Sequence, residues 1–238
     1  MSTYNVDKFI AGLNNIGVML TDNQIQQFLT YYELLVEKNK VMNLTAITEF
    51  EEVIEKHFLD SLQIAKYIEL NGKSLIDIGT GAGFPGIPLK IAFPHLEVVL
   101  LDSLNKRIKF LDDVIRELGL GNVKTLHGRA EDFGKKVEYR EQFDYCVSRA
   151  VANLSSLSEY CIPFVKKEGY FIPYKSGNID AELSSANKAV FLLGGKLEKV
   201  ERFSLEDSQR SFVFIKKVNN TAKKYPRKAG LPTKEPLG

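Results

Sequence analysis

The sequence predicts an α/β fold with a seven-stranded, mostly parallel sheet, an antiparallel last strand and an N-terminal helical extension. Three observations predict it. From Ser74 onward, short apolar runs alternate with amphipathic segments, which is the pattern of strands and helices wound into a parallel sheet. Before that point the apolar residues follow helical spacing. The last two strand candidates have no helical segment between them, so they are expected to form an antiparallel pair.

The helical extension is predicted to cover residues 1–70. Thr21 and Asp22 offer an N-cap, and apolar side chains then recur at helical spacing through about Lys38. Two further helical pieces are expected at 50–58 and 62–68. The Asn-Gly pair that follows them breaks the pattern and separates the extension from the α/β domain.

The α/β domain is predicted to cover residues 71–218. Its strand candidates are 74–78, 98–101, 123–127, 143–147, 170–174, 196–203 and 211–217. Its helix candidates are 87–93, 104–118, 154–161 and 180–193. A basic C-terminal tail is predicted at 219–238, where Pro226 and Pro232 are expected to prevent regular structure until the tail meets phosphates.

A glycine-rich turn between the first strand and the next helix is the most informative feature. It reads Asp77-x-Gly79-x-Gly81-x-Gly83. Glycine permits a positive φ and lets the backbone approach a ligand closely, while the open helix N-terminus offers N–H donors. The spacing Gly81-x-Gly83-x-x-Gly86 also fits the dinucleotide fingerprint. The turn alone therefore allows two classes of adenosine-containing ligand.

Asp102 ends the second strand candidate about 20 residues beyond the glycines, where an acid can accept the hydroxyls of an adenosyl ribose. It supports an adenosine ligand without separating the two classes. The strand count favours one class over the other. Seven strands with a final antiparallel pair are typical of class I S-adenosylmethionine methyltransferases, whereas a dinucleotide-binding dehydrogenase normally has six parallel strands.

Composition limits the remaining possibilities. The 238 residues are 44% hydrophobic and carry a net charge of only +2. No apolar run approaches the length of a membrane span, and no signal peptide is evident at the N-terminus. The two cysteines and three histidines lack metal-site spacing. We therefore expect a cytoplasmic protein with no membrane partner and no metal.

Several strings together resemble one protein group closely. They are NLT at 43–45, HFLDS at 57–61, IDIGTGAGFPGIPL at 76–89, DSLNKRIKFL at 102–111, GRAED at 128–132, SRA at 148–150 and YPRKAGLPTKEPL at 225–237. The chain resembles the bacterial small-subunit ribosomal RNA guanine-N7 methyltransferases, also called the glucose-inhibited division protein B family. The resemblance implies S-adenosylmethionine as cofactor, 16S ribosomal RNA or the small ribosomal subunit as partner, and a monomer.

The resemblance also implies site residues. The cofactor residues would be Asp77, Gly79, Gly81, Gly83, Phe84, Asp102, Ala130, Glu131 and Arg149. Among them, the resemblance gives Asp102 the ribose and Ala130 with Glu131 the adenine edge. Arg149 would face the cofactor or the target base, which makes it a possible catalytic residue. His57, Asp60 and Tyr174 receive no role.

Clustered basic residues are the candidates for RNA contacts, because phosphate neutralisation needs local positive charge. They are Lys106, Arg107, Lys223, Lys224, Arg227 and Lys228.

The absence of two motifs favours a ring-nitrogen acceptor, and the resemblance implies that this acceptor is guanine N7. The residues after it, Arg149-Ala150-Val151, do not form the N/D-P-P-Y string typical of exocyclic-amine methylation, and Cys161 lacks the Pro-Cys arrangement of cytosine-C5 enzymes. A ring nitrogen such as guanine N7 carries no proton, so placement rather than a general base would supply the rate. Two alternatives stay open, namely a non-catalytic RNA-binding or ribosome assembly factor on this fold and an NAD-linked oxidoreductase.

Overall fold

A seven-stranded sheet forms the centre of the structure, a computed structural model that describes residues 4–205 and 208–238. The strands are β1 (Ser74–Ile78), β2 (Glu97–Asp102), β3 (Val123–His127), β4 (Phe143–Arg149), β5 (Val165–Ser176), β6 (Gly195–Leu205) and β7 (Ser208–Lys217). Their spatial order is β3-β2-β1-β4-β5-β7-β6. β1 to β5 pair in parallel, and β7 pairs antiparallel with both β5 and β6. The predicted fold class is confirmed.

The predicted strands are all present, with differences at their ends. β5 begins earlier than expected, at Val165, which pairs with Phe143 of β4. The start of β5 is not evident from the sequence, because three consecutive charged residues after Val165 are exposed and interrupt the apolar pattern. β4 continues to Arg149 and so carries that side chain to the carboxyl edge of the sheet.

The helices surround the sheet. They are α1 (Asp7–Asn15), α2 (Asp22–Met42), α3 (Phe50–Val53), α4 (Asp60–Leu62), α5 (Gly86–Ala92), α6 (Asn105–Glu117), α7 (Ala130–Phe133), α8 (Leu154–Cys161), α9 (Asp180–Leu192) and α10 (Leu231–Lys234). A π-helical stretch, Ile54–Leu59, joins α3 to α4, and a 3₁₀ stretch, Gln63–Lys66, follows. Single π turns inside helices are frequent at functional sites, and this one carries His57.

The predicted N-cap at Thr21 is confirmed as a capping box. The Gln24 backbone N–H donates to Thr21 Oγ1 at 3.3 Å, and the Thr21 N–H donates to Gln24 Oε1 at 2.8 Å. The helix that starts there extends past the expected end and stops at Asn43, whose φ of 48° is left-handed. The sequence analysis missed α1, which buries Phe9 and Leu13.

The helical extension and the sheet share a core. Phe28 and Phe58 of the extension belong to the same buried apolar cluster as Leu100 of β2 and Leu111 of α6. The opposite face of the sheet is covered by α8 and α9, whose apolar residues pack with Ile76. The extension therefore closes one side of the α/β domain, while the boundaries at 70 and 218 stay predictions.

The tail is ordered against the domain, which corrects the expectation that its prolines prevent regular structure. Pro232 lies in the first turn of α10, where the missing N–H would have no helical partner anyway. Tyr225, Pro226 and Pro232 are buried. Arg140 holds the start of the tail by donating to the carbonyl oxygens of Thr221, at 2.6 Å, and Tyr225, at 2.9 Å.

A buried ion pair fixes the middle of the tail. The Glu159 carboxylate on α8 is fully buried and accepts hydrogen bonds from three N–H groups of Arg227. The Arg227 backbone N–H reaches Oε1 at 2.7 Å, its Nε reaches Oε1 at 2.9 Å, and its Nη2 reaches Oε2 at 2.7 Å. A carboxylate inside the protein is tolerated only when its charge is compensated in this way.

We expect Arg227→Met to destabilise the protein strongly, because it leaves the Glu159 charge buried without its partner. Removing one member of a buried pair costs about 3–5 kcal/mol. Urea unfolding followed by circular dichroism measures it. Lys228→Met, at an exposed neighbouring position, is the matched control and should shift the free energy of unfolding by less than about 0.5 kcal/mol. Equal midpoints for the two variants would contradict the structural role.

Candidate functional site

A cleft of about 610 Å³ opens at the carboxyl ends of the central strands. Its size suits a cofactor-sized ligand, and this edge is where open α/β sheets bind ligands. Most of its walls come from the glycine turn, the helical extension, the ends of β4 and β5, and the β6–β7 pair, and α6 and α9 contribute one residue each. They include Thr45, His57, Asp60, Gly79, Gly81, Phe84, Arg107, Arg149, Tyr174, Lys175, Arg210 and Phe212.

The glycine turn is anchored to β2 and shaped by left-handed backbone. The N–H groups of Gly79 and Thr80 donate to the Leu101 carbonyl at 2.8 and 3.2 Å. Gly81 has a φ of +63°, and an added Cβ would meet no heavy atom closer than 4.0 Å, so its missing side chain keeps that wall of the cleft open. Gly83 has a φ of +105°, and a Cβ there would lie 2.7 Å from the Tyr31 hydroxyl.

Asp77 supports this turn from beneath. Its carboxylate is fully buried, and Oδ2 accepts from the Thr80 hydroxyl at 2.7 Å and from the Gly86 N–H at 2.9 Å. Oδ1 has no hydrogen-bond partner among the residues that the structure describes. Burial raises the pKa of Asp77 to about 6, against the smaller lowering effect of the two hydrogen bonds. The carboxylate shapes the turn from the protein side.

Asp102 joins the turn to the next helix. Its Oδ2 accepts from the Gly81 N–H at 3.0 Å and from Arg107 Nη1 at 3.2 Å. Its Oδ1 accepts from the Leu104 N–H at 2.9 Å. The side chain is 2% exposed and hydrogen-bonds to the glycine wall, but unlike Gly81 and Arg107 it is not among the residues that line the cleft. Its assignment to the ribose stays a prediction.

Phe84 forms an aromatic wall of the cleft. Its ring stacks on His57, with centroids 4.5 Å apart and planes at 19°, and tilts against Tyr31 at 5.4 Å. The Arg149 guanidinium lies over the same ring, 5.1 Å from its centre. The π-helical stretch thus brings His57 of the extension against the glycine turn.

Arg149 is held by an acid that the sequence analysis left without a role. Asp60 is 3% exposed and lies between two arginines. Arg149 Nη1 donates to its Oδ2 at 2.7 Å, and Arg210 Nε donates to its Oδ1 at 3.1 Å. The three residues come from α4, β4 and β7. Arg210 was not among the predicted residues, because nothing in the sequence places β7 beside the extension.

His57 is neutral at the wall of the cleft. Burial, and then the Arg149 charge, lower its pKa to about 3. Arg149 Nη2 lies 3.4 Å from Nδ1 and can only donate, so Nε2 carries the ring proton and donates to Thr45 Oγ1 at 2.8 Å. Tyr174, also unassigned from sequence, donates its hydroxyl to the Ser61 carbonyl at 2.8 Å, and burial raises its pKa well above the usual value.

Ala130 and Glu131 lie at the start of α7 and are both buried. Glu131 Oε1 accepts from the Gly230 N–H at 2.8 Å, which ties α7 to the tail. Neither residue is among those that line the cleft. Their assignment to the adenine edge stays a prediction.

The six basic candidates fall into two groups. Four lysines are exposed, namely Lys106, Lys223, Lys224 and Lys228. The two arginines are engaged within the protein, Arg107 by Asp102 and Arg227 by Glu159. The ion pair of Arg227 favours a structural role over an RNA contact. The assignment of all six to RNA stays a prediction.

The described parts of the chain, 4–205 and 208–238, contain no group of three or more His, Cys, Asp or Glu side chains placed to hold a metal ion. None of their helices is both long enough and apolar enough to cross a membrane.

Solved structures with the same fold define the class. A SAM-dependent methyltransferase from Aquifex aeolicus matches with a TM-score of 0.55 at 15% identity, covering 73% of this chain and 96% of that one. TYW2 from M. jannaschii in complex with AdoMet also matches at 0.55 and 15% identity, covering 73% and 80%. The fold is that of the class I S-adenosylmethionine methyltransferases.

Sequence comparison narrows the class to one family. The model of the GidB family, described as rRNA small subunit methyltransferase G, matches residues 24–213. The chain belongs to this family. A relative named ribosomal RNA small subunit methyltransferase G from Lachnoclostridium phytofermentans is 57% identical over 96% of both chains. One of the same name from Brevibacillus brevis is 52% identical over 97% of this chain and 98% of its own.

The raised pKa of Asp77 predicts a pH dependence of stability. Between about pH 4 and about pH 6 the folded protein holds a proton on Asp77 that the unfolded chain has lost. The free energy of unfolding therefore falls as pH rises through this window, by at most about 3 kcal/mol from this group. Asparagine does not titrate, so Asp77→Asn should reduce the fall.

Urea unfolding at several pH values from 4 to 7 measures the effect as the difference between wild type and variant. Asp132→Asn, at an exposed position on α7, is the control and should leave the pH curve unchanged. If the curves of the wild type and Asp77→Asn are parallel, the pKa of Asp77 is not raised.

Proposed function

We propose that this protein transfers a methyl group from S-adenosylmethionine to N7 of a guanine in a loop of 16S ribosomal RNA. The observation that carries the proposal is the open glycine wall beside the Asp102 carboxylate, at the carboxyl edge of the sheet, in a chain of this family. The relatives named ribosomal RNA small subunit methyltransferase G support the RNA substrate.

The residues present suit this cofactor. Gly81 leaves its wall of the cleft free of side chain, and Asp102 Oδ1 has accepted only one hydrogen bond, so it can take a ribose hydroxyl. The buried Asp77 carboxylate adds negative charge behind the turn, which favours a cationic ligand in front of it. When bound, the cofactor supplies a methyl group on a positively charged sulfur.

The cleft supplies placement rather than a base. A neutral His57 is fixed by Thr45 and Arg149, and the hydroxyls of Tyr31 and Tyr174 have pKa values far above neutrality because they are buried. None of these groups is suited to remove a proton near pH 7. Guanine N7 has a free lone pair and no proton, so its methylation needs no base from these three side chains.

A cysteine nucleophile is also missing from the cleft walls. Cys146 and Cys161 are both buried in the core on the other side of the sheet, and burial raises the pKa of Cys146 well above its usual value. A thiol in this state does not attack a base, which argues against methylation at cytosine C5.

The RNA substrate is a single-stranded segment in this proposal. The cleft walls carry five cations, which are Lys56, Arg107, Arg149, Lys175 and Arg210, against the two acids Asp60 and Glu182. Glu52 and Asp102 outside the walls pair with Lys56 and Arg107, so the positive excess comes from the two arginines that share Asp60. That excess suits a phosphate. Loops expose the base edges that an RNA duplex hides in its deep groove.

We also propose that the protein works in the cytoplasm, where its ribosomal RNA substrate is found.

One experiment distinguishes a methyltransferase from a non-catalytic assembly factor. The protein is incubated with small ribosomal subunits that lack its modification and with S-adenosylmethionine labelled in the methyl group, and the labelled base is mapped. We expect label at a single guanine, released by the mild base and aniline treatment that cleaves at 7-methylguanine. Subunits that bind the protein without taking up label would favour the assembly factor.

Asp102→Asn should weaken cofactor binding while the fold survives. Hydrogen bonds to a charged group are worth about 1.5–3 kcal/mol, which corresponds to roughly ten- to hundred-fold in affinity. Calorimetry with S-adenosylhomocysteine measures the dissociation constant. Glu37→Gln removes a charge from an exposed position on α2 and is the control. An unchanged constant in folded Asp102→Asn would show that this acid does not hold the ribose.

The rate of single-turnover methylation should vary little between about pH 6 and 9 when cofactor and RNA are saturating. The physical reason is the unprotonated acceptor, together with a His57 pKa near 3 that keeps this ring neutral over the whole range. His57→Gln is expected to lower the rate without changing the shape of the profile. A steep rise with pH that disappears in one point variant would reveal a general base and contradict an N7 acceptor.

A further inference from the structure

The ion pair between Arg107 and Asp102 occupies the position where a ribose would bind. Asp102 is the acid beside the open glycine wall, and Arg107 Nη1 donates to its Oδ2 at 3.2 Å. Arg107 lines the cleft and its side chain is 33% exposed, against 2% for Asp102. The arginine is therefore the mobile member of the pair, because the buried acid is fixed by two backbone N–H donors as well.

Arg107 and a ribose hydroxyl compete for the same acceptor position on Asp102 Oδ2. Each carboxylate oxygen has about two acceptor positions. Oδ2 already accepts from the Gly81 N–H and from Arg107, whereas Oδ1 accepts from just the Leu104 N–H among the residues that the structure describes. Two ribose hydroxyls that bind one to each oxygen need a vacant position on Oδ2. The Gly81 N–H belongs to the anchored turn, so Arg107 is the donor that must leave.

The position of Arg107 at the start of α6 allows it to exchange Asp102 for another anion. It lies in the first turn of α6, next to the exposed Lys106, where a cation is unfavourable to the helix dipole. In the absence of a ligand, Asp102 compensates the arginine. Once the carboxylate binds a ribose, the guanidinium needs another anion, and an RNA phosphate at the mouth of the cleft provides one.

We infer that Arg107 couples the two binding events by exchanging the Asp102 carboxylate for an RNA phosphate when the cofactor binds. Arg107 is a positioning residue in this scheme, and the inference rests on the proposed function. Because linkage is reciprocal, RNA that holds Arg107 must also tighten cofactor binding by the same factor. No covalent step is involved.

The test compares S-adenosylhomocysteine binding without and with a saturating, unmodified 16S ribosomal RNA transcript. Wild type, Arg107→Gln, Arg107→Lys and Lys109→Gln are measured, the last as a control that removes an exposed charge from the same helix. Without RNA, Arg107→Gln should bind the ligand about two- to fivefold more tightly than wild type, since a partly exposed competing ion pair is gone.

With RNA, the ligand affinity of wild type and Lys109→Gln should rise by about fivefold or more, within the usual range of couplings. Arg107→Gln should show a change of less than about twofold, and Arg107→Lys should keep part of the coupling because it retains a cation. A crystal structure with S-adenosylhomocysteine should show Arg107 Nη1 out of hydrogen-bond distance of Asp102 Oδ2.

Three results would overturn the inference. The first is a loss of ligand affinity in folded Arg107→Gln without RNA, since the arginine would then help to hold the cofactor. The second is a coupling in Arg107→Gln equal to that of wild type. The third is a ligand-bound structure with the ion pair intact. Failure of wild type to bind S-adenosylhomocysteine at all would instead remove the proposed function, and the inference with it.

Discussion

The buried carboxylate of Asp60 is the interaction on which the cleft depends. Asp60 lies on the helical extension and accepts hydrogen bonds from Arg149 of β4 and Arg210 of β7. Three distant parts of the chain therefore meet at one negative charge. Breaking a pair of this kind leaves an uncompensated charge in the interior, which costs far more than the contact itself contributes. The extension is thereby held at the edge of the sheet, where it brings His57 against Phe84.

Several other acids are buried, and each has a different solution to the same desolvation problem. Glu159 is neutralised by a guanidinium, whereas Asp77 has two hydrogen bonds and a raised pKa. Asp102 accepts from backbone N–H groups and from Arg107, which we infer to leave when the cofactor binds. The first solution stabilises the fold, the second shapes a turn at a cost in stability, and the third keeps a carboxylate available. Similar carboxylates therefore have different roles in this fold because their hydrogen-bonding and charged partners differ.

The sequence alone predicted the fold class, the seven strands and the glycine turn, because local patterns carry that information. Alternating apolar runs indicate strands, and glycines followed by an acid predict a ligand at this edge of the sheet, where the role of Asp102 stays a prediction. The link between Asp60 and Arg210 could not be predicted, since it depends on packing between segments 150 residues apart. The ordered tail was missed for a similar reason. Its prolines suggested irregular structure, whereas the tail packs through contacts with distant residues, among them Arg140 and the buried Glu159.

The Arg227–Glu159 pair has a consequence for how the chain is made. Glu159 lies 68 residues before Arg227, so it leaves the ribosome first during synthesis. Until Arg227 has also emerged, the carboxylate lacks this cation, and its burial under the tail is unfavourable. A variant truncated before Arg227 would keep that charge without this partner. Its core is therefore expected to open to proteases more often than that of a chain that contains Arg227.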